Sequence, residues 1–201
     1  MENEYDLNLR AQMPVSAPKS NKTKESIWDL IRFILIAIAI VLPVRILIAQ
    51  PFIVSGSSMF PTFEDKQYLI VDQISYRFED PKRGDVIIFR FPLDPSKFFI
   101  KRVIGLPNEK VIIKSGAVSV IGTDGKSVQL DEPYLEGNHG GQDNFSAELK
   151  DDEYFVMGDN RAASSDSRSW GVLPRKNVIG KAFLRLLPAN TAGVNPGEYR
   201  Y

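Results

Sequence analysis

The sequence predicts a mainly β protein, in which an antiparallel β domain follows an N-terminal transmembrane helix. The 201 residues are 43% hydrophobic and 25% charged, and one long hydrophobic segment lies near the N-terminus, which suits a globular domain with an anchor. From Gln50 onward, short segments rich in β-branched and aromatic residues alternate with turn signals such as Asp80-Pro81 and Asp124-Gly125. We therefore expect a tail at 1–26, an anchor at 27–49 and a β-rich domain at 50–201.

Residues 1–26 are predicted to form a disordered tail. They are polar, contain Pro14 and Pro18, and show no hydrophobic periodicity. Lys19, Lys22 and Lys24 cluster just before the apolar segment. Because basic residues accumulate on the cytoplasmic side of membrane helices, we expect this tail to lie in the cytoplasm.

The segment Ile27–Ile48 is predicted to be an uncleaved membrane anchor. As a helix it would extend about 33 Å, enough for a hydrocarbon core of roughly 30 Å. Its charged residues and its proline lie near the two ends: Asp29, Arg32, Pro43 and Arg45. A buried helix of a soluble domain is one alternative. A cleaved secretory signal is another, but its small-x-small pattern, Ala37-Ile38-Ala39, lies in the middle of the helix, where cleavage is implausible.

Eight strands are predicted after the anchor. They are Tyr68–Val71, Asp85–Phe91, Phe98–Ile104, Lys110–Ile113, Val118–Ile121, Val128–Leu130, Tyr154–Met157 and Val178–Leu187. The acidic, glycine-containing segment 136–153 is predicted to be an exposed connection without a chemical role.

Composition excludes several kinds of chemistry. The formal net charge is zero and no basic block lies outside the tail, so a nucleic-acid partner is not expected. The absence of cysteine excludes thiol catalysis and disulfides. The chain has one histidine, His139, within a glycine-rich run, which disfavours both a zinc site and a Ser/His/Asp triad. We expect no metal and no cofactor.

A candidate nucleophile, Ser58, lies in the stretch SGSSMFPTF directly after the hydrophobic segment. A serine hydroxyl is a poor nucleophile near neutral pH and needs a base beside it and donors for the oxyanion. Gly56 permits a close backbone approach, and Pro61 fixes the turn that leads away from the serine. A Ser/Gly linker is the alternative interpretation of this stretch.

Lysine is the predicted base, and Lys101 is the candidate because it interrupts the apolar run 98–107. Strand alternation places Lys101 and Arg102 on opposite faces, so we expect one of these two cations to point away from solvent. Burial disfavours a charged ammonium and lowers its pKa towards the range that a general base needs. A lysine that snorkels at a sheet edge is the alternative.

Four blocks of the sequence resemble the type I signal peptidases, membrane-bound serine proteases that remove signal peptides from exported proteins. They are SMFPT at Ser58–Thr62, RGDVIIF at Arg83–Phe89, KRVIGLP at Lys101–Pro107 and GDNRAASSDSRSWG at Gly158–Gly171. The resemblance implies an antiparallel β domain of the signal-peptidase/LexA type. One departure is Asn108-Glu109 after Pro107, where the family commonly has Gly-Asp.

The resemblance implies a Ser/Lys dyad in which Ser58 is the nucleophile and Lys101 the general base. The backbone amide of Ser58 would contribute to the oxyanion hole, and the second donor stays open because Gly56 stands where some members have a serine. Ser164 matches the serine that orients the lysine. The other supporting positions are Asp159, which is expected to pair with Arg102, together with Asp166 and Arg168.

The same resemblance implies a signal peptide of an exported preprotein as substrate, bound as an added strand. Its side chains one and three residues before the scissile bond would occupy shallow pockets that select alanine-like residues. The expected lining residues are Phe52, Val54, Met59 and Ile100. Expected partners are the preprotein, the lipid bilayer and the protein-export translocon. The expected topology is a single pass of the cell (inner) membrane with the catalytic domain outside the cytoplasm.

Two other functions remain open at the level of sequence. One is a membrane-anchored β domain that binds peptides without cutting them. The other is a self-cleaving protease of the repressor type, which uses the same Ser/Lys dyad. The N-terminal anchor and the Trp170-Gly171 pair favour the signal peptidase.

Overall fold

The computed structural model describes residues 22–43, 49–137, 140 and 144–201. The chain divides into two compact units, Met1–Leu42 and Pro43–Tyr201. The predicted boundary between anchor and β-rich domain, at residue 50, stays a prediction. His139 and much of the glycine-rich run around it lie outside the described residues.

The first unit contains helix α1, Lys22–Pro43. It begins five residues earlier than the apolar segment at Ile27, inside the stretch predicted as tail, and residues 44–48 of the predicted anchor lie outside the described part. In the described ranges, no helix has both the length and the apolar character that crossing a bilayer requires. The membrane anchor therefore stays a prediction.

The second unit is built from twelve described strands and confirms the mainly β prediction. They are β1 Ala49–Ile53, β2 Tyr68–Asp72, β3 Val86–Phe91, β4 Asp94–Gly105, β5 Lys110–Lys114, β6 Ala117–Ile121, β7 Ser127–Gln129, β8 Phe145–Glu148, β9 Glu153–Met157, β10 Leu173–Pro174, β11 Val178–Leu187 and β12 Gly193–Val194. A one-turn helix, α2, spans Ser167–Trp170. All eight predicted strands are present, and β1, β8, β10 and β12 are additional.

The strands form two antiparallel sheets. The larger has the order β1-β2-β11-β3-β4-β9-β10, with β12 on β11, and the smaller has the order β7-β6-β5-β8. One core joins the smaller sheet to β4 and β9, where Val111 and Val120 pack with Ile104 and Phe155. A second core lies under the turn that carries Ser58. On the other face of β4, Val103 packs in a third core with Phe89 and Val156. Strand β4 is thus covered on both faces, so side chains of either orientation can be buried.

The segment 136–153 is not a plain exposed connection, and that prediction was wrong. Strand β8 pairs with β5 in antiparallel register, and Phe145 and Ala147 pack against the core while Leu149 is buried. The strand has only four residues and lies among acidic ones, so its two-residue alternation is too short to stand out in the sequence.

The turn after β4 accommodates the departure at Asn108-Glu109. Asn108 adopts a left-handed conformation with φ of 64°, which asparagine tolerates better than most residues. The Glu109 carboxylate accepts the Leu106 amide at 2.8 Å and pairs with Arg83 at 2.5 Å. The turn is therefore closed by side-chain bonds without glycine.

Candidate active site

Ser58 is carried by a turn that follows β1. The Phe60 amide donates to the Ser57 carbonyl at 3.1 Å, and the Phe63 amide donates to the Met59 carbonyl at 2.9 Å. Met59 and Phe63 are fully buried and fix the turn to the core beneath it. The Ser58 side chain, in contrast, lines an open groove.

Lys101 reaches Ser58 from the middle of β4. Its Nζ lies 2.7 Å from Ser58 Oγ and 2.8 Å from the Ile100 carbonyl oxygen. The Phe99 ring centre is 5.3 Å from the same nitrogen, and the residue is only 3% exposed. Two residues that are 43 positions apart in sequence thus meet at hydrogen-bond distance.

Burial lowers the pKa of Lys101 to about 8, because the charged ammonium loses solvation. The negative charges of Asp166 and Asp159 act in the opposite direction and keep the pKa from falling further. A lysine with this pKa is partly neutral near physiological pH, so its nitrogen can accept a proton from a nearby hydroxyl.

The loop after β9 holds the backbone of the Ser58 turn. The Asn160 amide donates to the Ser58 carbonyl at 3.1 Å, and its side-chain amide donates to the Ser57 carbonyl at 3.1 Å. A Cβ on Gly158 would lie 2.3 Å from the Ser58 carbonyl oxygen and 2.2 Å from Ser164 Oγ. Glycine is therefore required there for close approach. Neither Gly158 nor Asn160 was predicted as a site residue, although both belong to the GDNR block.

A comparison with protein families adds to this geometry. The family described as "Signal peptidase, peptidase S26" matches residues 27–187, which include both Ser58 and Lys101. The chain belongs to this signal peptidase family. It is therefore a peptidase, and the resemblance found in the four sequence blocks is confirmed.

Named relatives of this signal peptidase family cover most of the chain. The "Probable signal peptidase I-1" of Synechocystis sp. is 37% identical over 86% of this chain and 91% of its own. "Signal peptidase I" of Leptolyngbya laminosa is 36% identical over 91% and 89%. A solved signal peptidase I from Enterococcus faecalis V583 is 29% identical over 51% of this chain and 97% of its own, with a TM-score of 0.45.

The predicted pair between Arg102 and Asp159 is present on the opposite face of β4 from Lys101. Arg102 Nε lies 2.8 Å from Asp159 Oδ1, and Nη2 lies 2.6 Å from Oδ2, with both side chains fully buried. Burial opposes the charge, but the hydrogen bonds and negative charge of Asp159 raise the pKa of Arg102 above its ordinary value. Both adjacent cations are thus buried, whereas only one was expected to point away from solvent.

Other groups of the domain complete the surroundings of this pair. Arg102 Nη1 donates to the carbonyls of Gly84 at 2.9 Å and Gly197 at 2.6 Å, and its guanidinium lies 3.8 Å from the centre of the Tyr134 ring. Thr62 Oγ1 donates to Asp159 Oδ2 at 2.5 Å. The ion pair therefore connects the end of the Ser58 turn to the C-terminal residues.

Asp166 and Arg168 hydrogen-bond within the loop that follows β9. The Asp166 carboxylate accepts the Gly158 amide at 3.1 Å and the Arg168 Nε at 2.8 Å, and it caps α2 through the Arg168 amide. Arg168 Nη2 also donates to the Arg161 carbonyl at 2.7 Å. The bond from Gly158 to Asp166 holds Gly158 in place beneath the Ser58 carbonyl.

Ser164 does not hydrogen-bond Lys101, and that expectation was wrong for this arrangement. Its Oγ is buried and has no hydrogen-bond partner among the described residues. The hydroxyl faces Gly158, while the lysine nitrogen is occupied by Ser58 Oγ and the Ile100 carbonyl. Lys101 is therefore oriented by the Ile100 carbonyl of its own strand and by the Ser58 hydroxyl.

The groove beside Ser58 has a volume of about 420 Å³. Three of the four predicted substrate-binding residues line it: Phe52, Val54 and Ile100. Leu69 and Ile88 from the neighbouring strands also contribute to its wall and were not predicted. Met59 does not line the groove, so this assignment was wrong. The turn directs the methionine into the core, where it is 1% exposed.

Gly56 has a structural role in the turn, and its amide does not donate a hydrogen bond into the groove. Its φ is 85°, a conformation that favours glycine, and its amide donates to Asp65 Oδ1 at 2.8 Å. The Ser58 amide makes no hydrogen bond within the described part of the chain. It is thus available to an oxyanion, whereas a second donor is not identified. No cluster of three or more His, Cys, Asp or Glu suited to a metal is found among the described residues.

Proposed function

We propose that this peptidase removes N-terminal signal peptides from exported preproteins with a Ser58/Lys101 dyad. The observation that carries the proposal is the 2.7 Å contact between Ser58 Oγ and the Nζ of a lysine that is 3% exposed. Burial lowers the pKa of this lysine to about 8, which makes its neutral form accessible. A cation paired with a carboxylate could not serve as this base.

Catalysis begins when neutral Lys101 accepts the Ser58 hydroxyl proton and Oγ attacks the scissile carbonyl carbon. The negative oxygen of the tetrahedral intermediate receives the Ser58 amide hydrogen bond. Lys101 then gives its proton to the leaving amine, and the peptide bond breaks to an acyl-enzyme. In the second half, Lys101 takes a proton from water, the hydroxide attacks the ester, and Ser58 recovers its proton.

The substrate binds along β1, which ends the larger sheet in the described structure. An edge strand leaves backbone donors and acceptors unpaired, so an extended peptide can add to it and cross the groove towards Ser58. Side chains alternate along a strand, hence those one and three residues before the scissile bond point the same way. The apolar walls formed by Phe52, Ile88 and Ile100 favour small residues such as alanine at these positions.

Helix α1 anchors the domain in the cell membrane with the tail in the cytoplasm, and the bilayer and the export translocon are the partners of this topology. The proposal rests on the lysines before and at the start of the helix, and on its exposed apolar side chains, such as Phe33 at 70%. External labelling of intact cells tests it: a cysteine introduced at position 140 should react and one at position 20 should not. The reverse pattern would contradict the orientation.

Incubation of the detergent-solubilised full chain with a preprotein tests the proposed activity. Mass spectrometry should show a new mature N-terminus after an Ala-x-Ala site, and Ser58→Ala should give none while Ser55→Ala and Ser57→Ala retain activity. Binding without a new N-terminus would instead indicate a peptide-binding domain. A cut within the chain itself, with the preprotein intact, would indicate a self-cleaving protease.

A further inference from the structure

A second cavity, of about 360 Å³, adjoins the substrate groove. Its walls come from the start of β1, the segment that follows β2, strands β3, β4 and β11, and the turn after β10. Phe98 lines both this cavity and the groove. Four cations contribute to the lining, and we call it the basic cavity: Arg77, Arg90, Arg175 and Lys176. No Asp or Glu is among the described residues that line it.

Two of the four cations are held in place by the protein. Arg175 donates through Nε to Asp80 Oδ1 at 3.1 Å and through Nη2 to the Glu79 carbonyl at 3.3 Å. Arg90 donates to the Pro95 carbonyl at 3.2 Å, and its guanidinium lies 4.9 Å from the centre of the Phe98 ring. Since these bonds are mainly to neutral groups, they orient the guanidinium planes and neutralise little of the charge.

The other two cations, like Arg90, are exposed. Among the described residues, Arg77 and Lys176 have neither a hydrogen bond from their side chains nor an ion pair. A polar cavity that gathers four positive charges and carries one acidic partner, Asp80, concentrates positive potential. Guanidinium groups match the geometry of phosphate oxygens, to which they donate two parallel hydrogen bonds.

An exposed apolar side chain on the wall of the basic cavity favours a lipid phosphate over a free one: Phe98 is 41% exposed. Leu93 lies in the turn that joins β3 and β4, the strands that carry Arg90 and Phe98, and is 72% exposed. A ligand with a phosphate at one end and hydrocarbon at the other would satisfy both kinds of surface. We propose that the basic cavity binds the phosphate group of an anionic phospholipid, beside the peptide groove.

Titration calorimetry on the full chain in a nonionic detergent tests this assignment. Dihexanoyl phosphatidylglycerol should bind more tightly than dihexanoyl phosphatidylcholine, which has no net charge, and added salt should weaken the binding. At about 1 kcal/mol for each cation, the double variant Arg77→Gln/Lys176→Gln should bind phosphatidylglycerol about thirtyfold more weakly. These residues are exposed, so the variant should keep the thermal midpoint of the parent protein.

A matched control removes two exposed lysines from the smaller sheet and its turn. Lys114→Gln/Lys126→Gln makes the same change in net charge and should leave the affinity unchanged. Equal affinity for the two lipids, or equal weakening in both double variants, would overturn the proposal. Inorganic phosphate that binds as tightly as phosphatidylglycerol would also overturn it, because the cavity would then be a free-phosphate site. The readout is binding, so its failure leaves the proposed peptidase activity untouched.

Discussion

Lys101 and Arg102 are neighbours on β4 and both are buried, yet their side chains meet different partners on the two faces of the strand. Arg102 contacts the Asp159 carboxylate through two hydrogen bonds and donates to two backbone carbonyls. Lys101 contacts one hydroxyl and one carbonyl, and no carboxylate lies within ion-pair distance of it in the described structure. Both side chains are thus shielded from solvent, but only Arg102 has a carboxylate in direct contact.

This difference separates a structural cation from a titratable base. Burial disfavours charge on both residues, but a bonded carboxylate offsets that cost for Arg102 and raises its pKa. Lys101 has only the more distant charges of Asp166 and Asp159, and its pKa falls to about 8. The Arg102–Asp159 ion pair stabilises the fold. Lys101 has no ion pair in the described structure, so its nitrogen can exchange a proton with Ser58.

The largest expected effect comes from making position 101 permanently charged. Lys101→Arg preserves the positive charge, but arginine stays protonated in proteins and cannot accept the Ser58 proton. We expect kcat/KM for preprotein cleavage to fall by roughly 10⁴-fold or more, as far as in Lys101→Ala.

His139→Ala is the control for that experiment, because the histidine is the other candidate base in the sequence. It should keep its activity. Substantial cleavage by Lys101→Arg, or loss of cleavage by folded His139→Ala, would contradict the Ser/Lys dyad.

On the face of β4 that carries Arg102, substitution is expected to lower the free energy of unfolding. Asp159→Ala leaves Arg102 buried without its carboxylate, and breaking a buried pair costs about 3–5 kcal/mol. The free energy of unfolding in urea measures this loss. The double variant Arg102→Met/Asp159→Ala should recover part of it, because no charge is left buried. A double variant less stable than Asp159→Ala alone would show that the pair is not the source of the loss.

Lys101→Met should stabilise the protein below pH 8. The pKa of Lys101 is about 8 in the fold and 10.5 in the unfolded chain, so the unfolded state binds more protons between these values. The parent protein therefore gains stability as pH rises from 8 to 10.5, and below 8 it carries the full cost of the buried ammonium. Methionine removes this cost, about 3 kcal/mol at pH 7.

Urea unfolding at pH 7 and pH 11 measures the difference between Lys101→Met and the parent. The methionine variant should be more stable at pH 7, and the gap should close at pH 11. A gap that does not change with pH would show that packing, and not the charge, causes it.

The smallest expected effect is that of Ser164→Ala. Because the Ser164 hydroxyl has no partner among the described residues, its removal breaks no bond to Lys101. We expect kcat/KM to fall by less than about tenfold, within the range of one neutral hydrogen bond. A loss comparable to that of Lys101→Ala would restore the orienting role expected from the family resemblance.

Ser58 and Lys101 could be singled out as candidates, and eight strands could be predicted, because their signals are local. Ser58 follows the hydrophobic segment directly, Lys101 interrupts an apolar run, and eight strands have clear alternation and turn residues. Arg102 was placed correctly relative to Lys101 because strand side chains alternate in direction. Alternation along β4 does not indicate which elements pack on each of its faces. The sequence therefore did not predict that Lys101 and Arg102 are both buried.

The errors fall where the backbone is irregular or the element short. Met59 lies in a turn, where no period indicates whether a side chain faces the groove or the core. Ser164 lies in a loop whose course depends on the bonds of Asp166 and Arg168. Strand β8 is only four residues long and depends on pairing with β5, a contact distant in sequence. In each case tertiary contacts decide the structure.

The pH dependence of kcat/KM for the full chain acting on a preprotein tests the central claim most directly. The account predicts that kcat/KM rises about tenfold per pH unit in the acidic range, bends near pH 8 and then levels off, since the free enzyme must carry neutral Lys101. A limb that still rises at pH 10 would show an ordinary lysine. A bend near 6.5 that disappears in His139→Ala would show that the histidine is the base.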